Sequence, residues 1–241
     1  MDAARIVELL TPFLGTPAPF VGESPSSRVG GRAEGSVDLT SSQIENIRGY
    51  VELLLRWNAR VNLTAIRERE EIVTRHFGES LFAARHLFQT QQAATDHLID
   101  FGSGAGFPGL PIKIWSPELK CTLIESNQKR STFLREVVRK LGLANVEVFA
   151  RRAEDLKGQA DVLTLRAVER FELALPIAAK LVRTGGRLAL LVGEGQIARA
   201  RDLVPGIAWD DPLNIPLSSR RALLIGRVVQ PKNRPSQEST K

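Results

Sequence analysis

The sequence predicts an α/β protein, a mainly parallel sheet with helices on both faces, preceded by a helical N-terminal extension. Three observations carry this. Beyond residue 97, short apolar runs alternate with helical stretches, and that alternation calls for right-handed crossovers and a sheet covered on both sides. Before residue 92 the apolar residues recur at helical spacing instead. A glycine cluster, DFGSGAGFPG over 100–109, directly follows the first predicted strand, where open α/β sheets bind ligands. With 241 residues, 43% hydrophobic and 25% charged, the chain can bury a sizeable core and is not mainly disordered, collagenous or coiled-coil.

Residues 2–14 suit a short helix. Residues 15–38 collect Pro, Gly and Ser and read as a flexible linker. Ser42-Gln43-Ile44-Glu45 has the capping-box pattern, and Ile44, Ile47, Val51, Leu54 and Leu55 follow as one apolar stripe. A second helical stretch spans 69–90, through Ile72, Phe77, Leu81, Phe82 and Leu87. The predicted strands are His97–Phe101, Cys121–Glu125, Val146–Phe149, Asp161–Leu165, Arg187–Val192 and Ala222–Val229. A helix begins near Pro108, which suits a first turn. Another covers 128–141, with Gly142 as its C-terminal stop. Trp209–Ser219 reads as loop with room for an edge strand, and the polar tail 231–241 as disordered. The expected units are therefore 1–38 (helix and linker), 39–92 (helical extension), 93–230 (ligand-binding domain) and 231–241.

The single Cys121 excludes an intrachain disulfide and a multi-cysteine metal site, and its apolar surroundings place it in the core. No run approaches the ~18 apolar residues that span a bilayer, and the N-terminus lacks a signal-peptide pattern. The expectation is a soluble, cytoplasmic, monomeric protein without a metal. The net charge is +6. Arg outnumbers Lys 25 to 8, and Arg suits bidentate phosphate contacts, which admits nucleic acid as a partner. An Arg-rich genome would raise the same count.

Two ligands compete for the glycine loop. Gly104, Gly106 and Gly109 match the dinucleotide fingerprint in one frame, which would suit an NAD(P)-dependent oxidoreductase. Asp100, just upstream, is a poor neighbour for pyrophosphate and a good one for a cation. S-adenosylmethionine (AdoMet) has no phosphate and carries a sulfonium and an ammonium, so Asp-x-Gly-x-Gly-x-Gly favours it. Glu125 ends the second strand, about twenty residues on, where an acid takes ribose hydroxyls. Tyr50, the only tyrosine, sits on the apolar helix with no nearby Lys to form an oxidoreductase's proton relay.

These segments resemble the RsmG family, also called glucose-inhibited division protein B. DFGSGAGFPGLPIKI resembles its AdoMet motif. Trp57-Asn58 with Asn62-Leu63-Thr64-Ala65-Ile66-Arg67 is similar to its WN…NLT-x-[VI]-R motif. Arg75-His76 and Ser80 are similar to RH…DS, with Glu79 standing for the family's Asp. Leu123-Ile124-Glu125-Ser126, Lys129-Arg130, Phe133-Leu134-Arg135, Arg152-Ala153-Glu154 and Arg166-Ala167 follow in family order, so the resemblance runs from about 40 to 229.

The resemblance implies a class I AdoMet-dependent methyltransferase acting on N7 of a guanine of bacterial 16S rRNA, guanine 527 in the family's rRNA numbering. It implies that Asp100, Gly102, Ser103, Gly104, Gly106 and Phe107 form the AdoMet loop. Glu125 would take the ribose, Ala153 and Glu154 would lie beside the adenine, and Arg166 would stand at the mouth of the site near the AdoMet carboxylate or the substrate. Arg67, Arg75, Lys129, Arg130 and Arg166 are the candidate RNA contacts. Arg67 and Arg75 read equally as internal ion pairs, whereas Lys129 and Arg130 favour an RNA track over a solvated helix face. Where the family has Lys-Gly after its fifth strand, this chain has Val192-Gly193. That departure leaves open an RNA-binding protein that keeps AdoMet affinity without turnover.

Methylation of guanine N7 uses an in-plane lone pair and needs no proton removed, so no general base is expected among the residues. His76 reads as locally hydrogen-bonded, His86 and His97 as structural or exposed, and Trp57 as core. Asn62 and Thr64 serve as well for a loop cap as for a cofactor contact. The basic excess is uneven: 15 cations to 10 anions over 97–193, 8 to 5 over 194–241, and 10 to 12 over 1–96. RNA is therefore expected mainly against the α/β part.

Overall fold

The computed structural model describes residues 1–15, 39–88 and 96–229. The linker over 16–38, the 92/93 boundary and the tail 231–241 lie outside the described residues. The helical extension comprises α1 (Ala3–Leu14), α2 (Ser41–Asn58), α3 (Arg69–Glu71), a π-helical segment (Ile72–Gly78) and α4 (Glu79–Leu87). The last three run head to tail and make the predicted 69–90 helix, which ends at Leu87 and carries an internal π turn. The capping box moves two residues from its predicted place. Thr40 is the cap: its Oγ1 accepts the Gln43 N–H and its own N–H donates to Gln43 Oε1. Glutamine serves at the third position as glutamate would. Its buried amide also donates to the Ile114 and Trp115 carbonyls, tying α2 to the sheet's helices.

The α/β part runs β1 (His97–Phe101), α5 (Gly109–Trp115), β2 (Lys120–Ile124), α6 (Gln128–Lys140), β3 (Val146–Phe149), β4 (Ala160–Arg166), α7 (Phe171–Lys180), β5 (Val182–Gly193), α8 (Ile197–Leu203), β6 (Ile207–Trp209), β7 (Leu213–Asn214) and β8 (Arg221–Val228). Strand order is β3-β2-β1-β4-β5-β8-β6, with β7 also on β8. The pairs from β3 through β5 are parallel, and β8 lies antiparallel to its neighbours. All six predicted strands are present within a few residues of their expected ends. The three-residue β6 and two-residue β7 are too short for a periodicity signal; β7 is the edge strand that the 209–219 loop left room for. The sequence does not mark α8, because a single buried side chain, Ala200, gives it no stripe.

Alternate strand residues face opposite layers. Leu98, Cys121, Leu123, Val162 and Leu191 pack with α5, α6 and, from the helical extension, α1, α2, the π-helical segment and α4 in one core. Ile99, Ile124, Leu163, Leu190 and Val192 pack with α7 and α8 in the other. The extension is therefore an outer layer sharing its core with one face of the sheet. No described helix is long and apolar enough to cross a membrane. Cys121 is buried, and burial pushes its thiol well up from the ordinary range.

Candidate active site

The loop after β1 is held from below by the strand ends. The Ser103 N–H donates to the Ile124 carbonyl at 2.9 Å, and Ser103 Oγ donates to the Asp100 carbonyl. Glu125, buried past the end of β2, accepts the Gly104 N–H on Oε2 at 3.0 Å and the Asn127 N–H on Oε1 at 2.7 Å. Its carboxylate thus joins the loop to the start of α6. Asn127 continues the chain of contacts, its Oδ1 accepting the Lys129 and Arg130 N–H groups as the helix cap.

The glycines divide by what surrounds them. A Cβ at Gly102 would meet Val168 Cγ1 at 2.7 Å, and one at Gly109 would meet Asp100 Cβ at 2.7 Å. One at Gly106, where φ is +90°, would run into Tyr50 Oη and Leu110. Those three satisfy the protein's own packing. Gly104, at φ +57°, has only a carbonyl 3.8 Å away and opens on free space. It is the glycine that a ligand can approach.

Asp100 lies beneath this loop rather than on its open side. It is 1% exposed, and its Oδ1 accepts the Thr164 hydroxyl at 2.7 Å. Burial raises its carboxyl from the ordinary value to about 6, opposed by the Thr164 and Ser103 hydroxyls and the Gly109 backbone. Its side chain packs against Gly109, and its Oδ2 has no hydrogen-bond partner among the described residues. Ser103 and Phe107 are likewise buried. Phe107 faces the helical layer, stacked on Tyr50 (5.3 Å, 8°) and on His76 (4.5 Å, 15°). Ala153 is buried in the short 3-10 turn after β3, with Glu154 exposed beside it.

Arg166, at the end of β4, is turned toward the helical layer. Its Nη2 lies 3.0 Å from Glu79 Oε2 and donates to the Arg75 carbonyl at 2.8 Å. Arg221 Nη2 lies 2.7 Å from Glu79 Oε1, and Arg75 Nε 3.4 Å. One carboxylate, 2% exposed, thus holds three guanidiniums. The contacts are chiefly charge to charge, since Glu79 Oε1 and Arg166 Nη1 have no aligned hydrogen bond. Burial lowers the Arg166 pKa, and Glu79 opposes the shift. Arg166 is accordingly committed inside the protein, with Arg75 part of the same node. Arg67 and Lys129 are exposed and Arg130 half-buried. Val192 is buried in the α7–α8 core, paired across the ladder with Ala222.

His76 is held as expected, its Nε2 2.9 Å from Thr64 Oγ1. Asn58 organises that turn by bonding the backbone of Leu63 and Thr64. His97 Nε2 lies 2.9 Å from Thr122 Oγ1, and Trp57 packs on Phe133. The sequence does not mark Tyr50, Arg221 or Asn127 as site residues. Tyr50 carried a signal: a phenol on an apolar stripe needs a buried partner for its hydroxyl.

The family model for rRNA small subunit methyltransferase G matches residues 43–203. The chain belongs to this family. It is 36% identical over 208 residues to the ribosomal RNA small subunit methyltransferase G of Chloroflexus aggregans, covering 81% of this chain and 86% of that one. It is 39% identical over 206 residues to that of Roseiflexus castenholzii, covering 80% and 86%. Among solved structures, Bacillus subtilis YcgJ aligns with a TM-score of 0.53 at 13% identity, covering 65% of this chain and 100% of that one. Pyrococcus horikoshii TYW2, in complex with MeSAdo, aligns with a TM-score of 0.51 at 19% identity, covering 65% and 63%. The fold is that of class I methyltransferases, here with an added helical layer formed by α1 to α4.

Proposed function

We propose that this chain transfers the methyl group of AdoMet to N7 of a guanine in 16S rRNA, acting in the cytoplasm as a monomer. Membership of the rRNA small subunit methyltransferase G family over 43–203 is the observation that carries the reading. The residues fit the cofactor. Gly104 opens on free space in a loop otherwise closed by its own packing. Glu125, beside it, keeps lone pairs beyond the two it gives to backbone N–H groups. Ala153 and Glu154 would flank the adenine from the end of β3. When bound, AdoMet supplies a methyl group on a positively charged sulfonium.

Guanine N7 is already nucleophilic, so the chain's work is to align the base, exclude water and hold charge. A nearby proton acceptor is not needed. His76 fits that view: burial, with Arg166, Arg75 and Arg221 nearby, depresses its pKa to about 3, and Thr64 holds it. Tyr50, with its hydroxyl on the Ala105 carbonyl, is not free for an oxidoreductase's proton relay. Exposed Arg67 and Lys129 would contact rRNA phosphates, and exposed Arg170 after β4 can supply the basic contact that Val192 does not.

Purified protein incubated with methyl-labelled AdoMet and either 30S subunits or naked 16S rRNA is expected to place label on guanine N7. AdoMet and RNA binding without label transfer would replace the reading by a binding-only protein, and absence of AdoMet binding would end it. RNA affinity is expected to fall linearly in log–log with salt; a flat profile would remove the phosphate contacts from the account.

A further inference from the structure

The backbone of the glycine loop is held from outside the α/β part. Tyr50, midway along α2, is fully buried, and its hydroxyl donates to the Ala105 carbonyl at 2.5 Å. Burial raises the phenol's pKa, which keeps it a donor. Its ring lies parallel to Phe107 and edge-on to Phe77 (5.2 Å, 87°). Gly106, between the two residues that Tyr50 touches, has no room for a Cβ because Tyr50 Oη stands there. A single side chain of the outer layer therefore contacts three consecutive loop residues, 105 to 107. Gly104, the open position, is the next residue along.

We propose that Tyr50 is a positioning residue of the cofactor site: it holds the 103–107 turn in the shape that receives AdoMet, so cofactor affinity depends on a residue of the helical extension. The physical reason is that the Ala105 carbonyl is acceptor-only and lies in a closed region. Without the phenol it must find another donor or remain unpaired, and an unpaired buried acceptor drives the backbone toward another shape. The inference rests on the AdoMet reading above.

Tyr50→Phe keeps the ring and removes only the donor. Calorimetric titration of the full-length variant with AdoMet is expected to show binding about tenfold weaker. Its KM for AdoMet should rise while kcat at saturating AdoMet and the KM for RNA stay as in the wild type. A lower melting temperature with unchanged AdoMet affinity would make the hydroxyl merely structural and overturn the inference. If the wild type binds AdoMet and Tyr50→Phe binds it equally, this inference alone fails; a wild type that binds no AdoMet overturns both readings.

A second measurement needs no substitution. Tyr50 is the chain's only tyrosine, so 3-fluorotyrosine labelling yields one fluorine resonance. It is expected to move on AdoMet addition with the same midpoint as the calorimetric titration. A resonance indifferent to saturating AdoMet would overturn the proposal even if the variant failed to fold.

Discussion

Two of the junctions between the helical layer and the α/β part have opposite chemistry. One is aromatic: Tyr50, Phe107 and His76 stack against the underside of the glycine loop, with a neutral hydroxyl and a neutral imidazole as the only polar groups in the stack. The other is ionic: Glu79 gathers Arg75, Arg166 and Arg221 at the ends of β4 and β8. The contrast teaches how each can fail. A ring–ring pair contributes only about 0.5–1.5 kcal/mol beyond the area it buries. A buried charge node fails abruptly, because removing one partner leaves the rest uncompensated.

The largest effect is therefore expected at Glu79. Glu79→Leu leaves Arg166, whose side chain is 12% exposed, without its carboxylate, while the more exposed Arg75 and Arg221 can turn to water. We expect a loss of about 3–5 kcal/mol in urea unfolding, and a smaller one for Glu79→Gln. A Glu79→Leu variant as stable as the wild type would show that the ionic junction contributes nothing.

Next come the glycines, which separate packing from ligand approach. Gly106→Ala places a methyl against Tyr50 and Leu110 at positive φ, for a loss of roughly 2–4 kcal/mol. Gly104→Ala bears only the strain of positive φ, about 1–2 kcal/mol, but puts its methyl on the open side. It is expected to weaken AdoMet binding, measured by calorimetry, out of proportion to its change in melting temperature. Equal stability losses at the two positions would erase the distinction drawn between them.

The remaining contrast is a pH slope. The His76 pKa falls from its ordinary value to about 3 in the folded state, so the unfolded chain takes up a proton that the folded chain refuses. The stability associated with neutral His76 is full above about pH 6.5 and is lost as pH falls toward 3. Asp100 runs the other way. Its pKa is raised to about 6, so its contribution is full below its ordinary value and is lost as pH rises through 6. The two oppose each other between about pH 4 and 6. His76→Gln removes one of them, so its stability relative to the wild type should improve as pH is lowered from 6.5 to 4 in denaturant titrations. A difference that stays constant with pH would show that His76 titrates normally.

Local signals sufficed for most of the fold. Leu98, Leu123 and Leu163 stand in runs whose length and flanks mark strands, and Phe133, Leu134 and Val137 mark α6 by spacing alone. Short elements escaped for the same reason: β6 and α8 have too few buried positions to set a period. At the site, the loop and Glu125 were legible because glycine runs and an acid at a strand end are local patterns. The partners of Asp100 were not legible, since Thr164 and Gly109 meet it only when β1, β4 and α5 are assembled.

By itself, the sequence determined the α/β class, the loop after β1, the acid after β2 and the family, all written in neighbours or in motif order along the chain. Tertiary structure decided which glycine faces open space, that Arg166 turns inward to Glu79, and that Tyr50 holds the loop. These contacts join residues 55 to 91 positions apart. Such pairings arise from how layers pack, because a side chain's partner across a packed interface is set by three-dimensional proximity and the need to satisfy buried polar groups, which leave no period and no spacing in the sequence.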